Sequence, residues 1–218
     1  LVAEDDPEVV TRLAERIVTE VFRVARTIDD LLELSRIEAG EEPLREPVPV
    51  HLVLAGAADR IRPAADLRSI SLQVEEPSVR LTVVGDRRQL VSALYNLLDN
   101  AVKYSEPGSA VVLRARAAVD PDGRRWVDLA VEDHGLGIPA RDLERIFERF
   151  YRVDRARSRD TGGTGLGLAI VRHVAGNHHG EVDVVSREGE GSTFTLRLPA
   201  GPGPVALPQL TRHDRQAG

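Results

Sequence analysis

Cysteine and methionine are absent from this 218-residue sequence, lysine occurs once, asparagine only three times, and no apolar run approaches the length of a membrane span. Each absence excludes something. Without cysteine there is no disulfide framework and no thiolate metal site, which suits a reducing compartment. Without a run of about 18 apolar residues or a signal-peptide pattern, nothing in the sequence reads as a membrane-crossing helix or a leader. A formal net charge of -6 argues against general nucleic-acid binding, which relies on basic patches that neutralise phosphates. A chain that starts at Leu1 and holds no methionine is expected to be a piece of something longer.

The scarce residues are informative because of where they fall. Every basic residue except Lys103 is arginine, and asparagine stands only at positions 96, 100 and 177. Three of these four residues lie within "NLLDNAVK". That clustering points to a chemical requirement there rather than to general composition.

Two regions separate by pattern. In the first, Asp6 can cap a helix that Pro7 and Glu8 favour, and Gly40 supplies the stop. Val10, Ala14, Ile17, Val21, Val24, Ile28, Leu31 and Ser35 step alternately by four and three, a heptad seam. At ~1.5 Å per residue the rod is roughly 50 Å long. It reads as a helical-bundle arm, with one long core helix as the alternative, and "GEEPLREPVPV" reads as a proline-broken linker. The second region mixes elements: helices near 51–66, 86–104 and 140–149 and from Thr164, strands near 69–75 and 80–85, and hairpins around "DPDGRR" and "REGEG". Helices interleaved with mostly antiparallel strands predict an α+β, two-layer sandwich: a mixed, mostly antiparallel sheet with helices on one face, preceded by the long helix. The expected division is 1–42 (helical arm), 43–199 (the sandwich) and 200–218, where "GPGP" opens a disordered tail.

Glycines at 162, 163, 165 and 167 leave backbone N–H groups uncovered just before a helix N-terminus, where orphan donors and the helix dipole favour an anion. The segment lacks the third glycine and entering strand of a dinucleotide fingerprint, and the Gly-Lys-Ser/Thr of a Walker loop. Taken alone it is equally a flexible surface loop. In the helix "QLVSALYNLLDNAVKYS", Asn96, Asn100, Lys103 and Tyr104 share one face. Amide oxygens and one cation together suit Mg²⁺ and the phosphates it bridges, and an ordinary solvated face is the alternative. In "DHGLGIP", Asp133 closes a strand; its carboxylate can accept from an adenine amino group, where guanine would present a carbonyl. A plain strand-ending turn is the alternative there.

Together these segments carry a resemblance. In order, "NLLDNAVKYS", "DHGLGIP", "IFERFYR", "GTGLGLAI" and "GEGSTFTLRLP" resemble the N, G1, F, G2 and G3 boxes of the sensor histidine kinase ATP-binding domain, within the gyrase, heat-shock-chaperone and mismatch-repair ATPase superfamily. The earlier "DDLLELSRIEAGE" resembles the second helix of the kinase dimerisation and phosphoacceptor hairpin. The lid sequence is also similar to that of phosphate-starvation sensor kinases.

The resemblance implies ATP and Mg²⁺ as cofactors, with Asn100 as metal ligand and Asn96 as its companion. Lys103 would lie near the phosphates, and Tyr104 would line the nucleotide. Asp133 would read adenine, and Gly135, Gly137 and Ile138 would shape its pocket. Phe147, Phe150 and Tyr151 would anchor a lid running through the charged stretch 154–160, and Arg152 would meet the γ-phosphate. Gly163, Thr164, Gly165, Leu166, Gly167 and Leu168 would wrap the phosphates, with Thr193 completing the set. Catalysis would fall to Asn96, Lys103 and Arg152. The implied partners are a second copy, joined through the helical arm, and a response regulator; the implied location is the cytoplasmic portion of a kinase anchored to the membrane by segments outside this sequence.

One family feature is missing. The phosphoacceptor pattern is a histidine followed by an acidic residue and, a few positions on, a proline. None of His51, His134, His173, His178, His179 or His213 fits it. The acceptor is therefore expected outside these residues. Two rival functions share the pattern: a non-catalytic nucleotide-binding docking module, and a serine kinase of the anti-sigma-factor type.

Overall fold

A computed structural model of the chain describes residues 7–38, 45–75, 77, 79–153 and 163–202. Helix α1 (Pro7–Glu38) leads into strand β1 (Glu46–Pro49), helix α2 (Val50–Leu67), strands β2 (Ser71–Glu75) and β3 (Thr82–Gly85), and helix α3 (Arg87–Tyr104). Strands β4 (Ala110–Val119) and β5 (Arg125–Asp133), helix α4 (Gly167–Asn177), and strands β6 (Glu181–Arg187) and β7 (Gly191–Pro199) follow. The larger sheet has the order β2-β4-β5-β7-β6, with β2 parallel to β4 and the remaining pairs antiparallel. This is the expected α+β sandwich.

Alternation explains how the layers meet. Val111, Leu113 and Ala115 of β4, Val127, Leu129 and Val131 of β5, and Phe194, Leu196 and Leu198 of β7 are buried on one sheet face. Leu90, Leu94, Leu97 and Leu98 of α3 and Ile170, Val171 and Val174 of α4 join the same core. α3 starts sharply because the Asp86 carboxylate accepts from the Arg88 and Gln89 amides at 2.7 and 3.4 Å.

Several expectations are corrected. The stretch read as linker contains β1, which pairs antiparallel with β3; Pro47 and Pro49 are tolerated there because the strand lies at the edge of a two-stranded sheet. The helix expected at 140–149 is a single 3-10 turn, Ala140–Asp142, followed by turns. α4 begins at Gly167 rather than Thr164. Ala200 bridges Val83, and the Gly201 amide donates to the Thr82 carbonyl at 2.6 Å, so the sandwich continues past 199. Asp6, Gly40, most of the linker, the charged stretch 154–160 and the tail beyond 202 lie outside the described residues.

The heptad seam of α1 faces solvent: all eight seam positions are exposed, Ile17 at 63%. α1 touches α4 instead, and off the seam Asp30 and Leu34 are buried.

Candidate functional site

The separated sequence segments open on one cavity of about 620 Å³. α3 forms one wall. Its leucines face the core, which turns Asn96, Asn100, Lys103 and Tyr104 toward the cavity. Asn96 is buried, and its Nδ2 donates to the Ser92 carbonyl at 3.1 Å. Lys103 Nζ lies 2.6 Å from Asp99 Oδ2, one helical turn away, and both residues line the cavity. Asp99 escaped the sequence reading although its spacing from Lys103 was available on the helix.

The end of β5 and the following loop form the floor. Asp133 is buried, and the Gly135 amide donates to its Oδ1 at 2.9 Å. Burial pushes the Asp133 carboxyl above the ordinary carboxylate range, while amide hydrogen bonds from Gly135 and Ser192 pull it down. A side chain at position 135 would strike the Tyr104 carbonyl, so Gly135 supports Asp133 from behind rather than lining the cavity. The loop is pinned at three points. The Leu136 amide donates to the Tyr104 carbonyl at 3.2 Å, the Ile138 amide to Ser186 Oγ at 2.8 Å, and the Gly189 amide to the Leu136 carbonyl at 2.7 Å. Gly137 and Ile138 face the cavity.

The glycine-rich loop and the residues before the charged stretch face each other across the opening. The Phe150 amide donates to the Gly165 carbonyl at 2.8 Å, joining the two flanks. Gly165 has φ +73°, and a Cβ there would sit 2.9 Å from Phe150 backbone atoms. Tyr151, Arg152, Gly163, Thr164, Gly165, Gly167 and Leu168 line the cavity. The Tyr151 hydroxyl donates to Asp142 Oδ1 at 2.7 Å, and that bond raises the phenol's pKa. Arg145 stacks on the Tyr151 ring, 4.2 Å from its centre.

Four further residues named from sequence are placed elsewhere. Phe150 adopts φ +62° and is 59% exposed. Leu166 is fully buried in the core, because an apolar residue at the start of α4 is worth more there than beside an anion. Thr193 points to the open face of the sheet. Strand periodicity of two places Ser192 and Phe194 in the cavity instead. Phe147 packs partly buried against the core. Asp30 of α1, unforeseen from sequence, also lines the cavity.

A twisted mixed sheet carrying its helices on one face, with a buried carboxylate at a strand end and a glycine-rich loop across the same cavity, defines an ATP-binding domain. The family model described as "Histidine kinase-, DNA gyrase B-, and HSP90-like ATPase" matches residues 85–202, and the chain belongs to that family. Among its relatives, the sensor-like histidine kinase SenX3 of Mycolicibacterium smegmatis is 46% identical over 205 residues, covering 94% of this chain and 52% of the relative. The phosphate regulon sensor protein PhoR of Pseudomonas aeruginosa stands further off, at 37% over 189 residues, 86% of this chain and 41% of the relative. The chain thus spans about half the length of the curated relatives it matches. Among solved structures, the mycobacterial sensor histidine kinase MprB superposes with a TM-score of 0.61 at 32% identity, covering 73% of this chain and 99% of that one. Full-length ShkA in complex with AMPPNP gives 0.68 at 29%, covering 93% and 40%. The chain therefore carries an ATPase domain of that family, similar to the one in sensor histidine kinases.

Proposed function

We propose that this domain holds Mg²⁺-ATP in the cavity between α3, the Asp133 loop and the glycine loop, and transfers its γ-phosphoryl group to a histidine outside these residues, for relay to a response regulator. The observation that carries the reading is the convergence of Asp133, the amide face of α3 and the glycine loop on one cavity. Asp133 accepts from the adenine amino group. Asn100 offers one amide oxygen to the metal. As an amide, Asn100 would take one position on a hard cation such as Mg²⁺ and leave the others to phosphate oxygens and water. Bound magnesium supplies charge neutralisation between the phosphates.

The protein's own part is positioning. The amides and hydroxyl of 163–167 orient the phosphates, Arg152 meets the γ-phosphate, and Asp99 holds Lys103 at the cavity wall. The acceptor imidazole nitrogen forms the new bond to phosphorus as the bond to the β,γ-bridging oxygen breaks, and ADP leaves with that electron pair. None of the six histidines fits the phosphoacceptor pattern, so this chain alone does not phosphorylate itself. The exposed seam of α1, with Val10, Val21, Val24 and Ile28 each more than half exposed, suits pairing with a second copy through the helical arm. Such a role places the domain in the cytoplasm.

The test is to incubate the chain with labelled ATP, magnesium and a separately purified hairpin carrying a phosphoacceptor histidine, beside Asn100→Ala. Acid-labile label on the hairpin, strongly reduced by Asn100→Ala, is expected. Nucleotide binding without any transfer would leave a docking module.

A further inference from the structure

Among the described residues, Asp30 is the one α1 residue that lines the cavity, and it sits on the glycine loop. Its Oδ2 accepts from the Thr164 hydroxyl at 2.8 Å, and Asp30 is only 9% exposed. Thr164 lies between Gly163 and Gly165, and its Oγ1 accepts in turn from the Leu166 amide at 3.2 Å, at the start of α4. Leu34, one turn further along α1, is buried in the core and anchors the helix at this place. A carboxylate therefore stands on the segment whose hydroxyl and amides are the donors for phosphate.

We infer that Asp30 is a specificity-determining residue of the nucleotide site: with α1 docked, it occupies the Thr164 hydroxyl and sets a negative charge against the triphosphate, so docked α1 weakens the binding of a nucleoside triphosphate and leaves that of a nucleoside unchanged. This rests on reading the cavity as a nucleotide site. Full triphosphate binding then requires the Asp30–Thr164 bond to open. By linkage, a bound triphosphate weakens the docking of α1 as much as docked α1 weakens the triphosphate. Adenosine has no phosphate to meet Asp30, so it is insensitive to the gate.

The experiment is calorimetric titration of the whole 218-residue chain with adenosine and with the β,γ-imido analogue of ATP, in magnesium, for wild type, Asp30→Asn and Leu34→Ala, each checked for folding by circular dichroism. Removing one unit of like charge at a partly desolvated site is expected to tighten the analogue by about tenfold in Asp30→Asn, with adenosine unchanged. Leu34→Ala keeps the charge but loosens the anchor of α1, and is expected to tighten the analogue as well. Weaker analogue binding in Asp30→Asn, or an equal shift for both ligands, overturns the gate. So does tightening by Leu34→Ala alone, which would make α1 a steric cover. A folded wild-type chain that binds neither ligand overturns the nucleotide reading itself.

Discussion

Replacing His178 tests how the two site-bearing helices are held together. His178 is the C-cap of α4, only 4% exposed. Its Nδ1 lies 2.8 Å from the Val174 carbonyl, and its Nε2 accepts from the Asp86 amide at 3.0 Å. Both contacts require the neutral ring protonated on Nδ1. Asp86 is the N-cap of α3, so one imidazole ties the end of α4 to the start of the helix that carries Asn96, Asn100 and Lys103. In His178→Ala the lost ring leaves a cavity, costing about 3–5 kcal/mol by analogy with buried aromatic truncations. The orphaned Asp86 amide adds about 1–3 kcal/mol. Against a typical total of 5–15 kcal/mol, that brings the domain close to unfolding.

The milder His178→Gln is the variant for a pH series. Burial holds the His178 pKa below its usual 6.5, with Arg45 and His179 acting the same way and Val174 and Asp86 against it. A base whose folded pKa is depressed contributes fully above the unfolded value, and loses that contribution as pH falls below 6.5 toward the folded one. Urea midpoints of the wild type should therefore drop between pH 7.5 and 5, and His178→Gln should lack that part of the slope. His173 shares the direction, lowered by its own burial and by Arg149 and Arg172, so the difference between the two proteins isolates His178. Parallel pH profiles would refute the clasp.

Two further outcomes are expected. Asp133→Asn replaces a charged acceptor with a group that also donates; adenine-nucleotide affinity should fall by about 1.5–3 kcal/mol, tenfold or more, with guanine-nucleotide affinity unchanged or improved, in parallel titrations. Gly165→Ala should cost about 1–2 kcal/mol for the left-handed backbone alone, more with the Phe150 contact, and weaken nucleotide binding, whereas Gly176→Ala, where a Cβ meets nothing within 4 Å, should raise urea stability by about 0.5–1 kcal/mol.

Much of the fold was legible because its signals are short-ranged. The start of α3 near residue 86, the apolar stripe of α3, the alternation of β4, β5 and β7 and the glycines before α4 each act within a few residues. The order of the boxes then implied the architecture. Some misses had a local signal that went unused: Phe194, Leu196 and Leu198 fix the phase of β7 and so put Thr193 on the open face, and Asp99 lies one turn from Lys103. β1 was hidden because prolines read as breaks, and only pairing with β3 makes them an edge strand.

By itself, then, the sequence determined most of the elements, their order and the class of site, since periodicity, capping and glycine placement are properties of neighbouring residues. Only the tertiary structure decided which of two adjacent histidines is buried against Asp86 and which meets Arg45. It alone brought Asp30 to Thr164 across 134 positions. The fate of a single polar group depends on what the folded chain packs around it, and no local pattern records that partner.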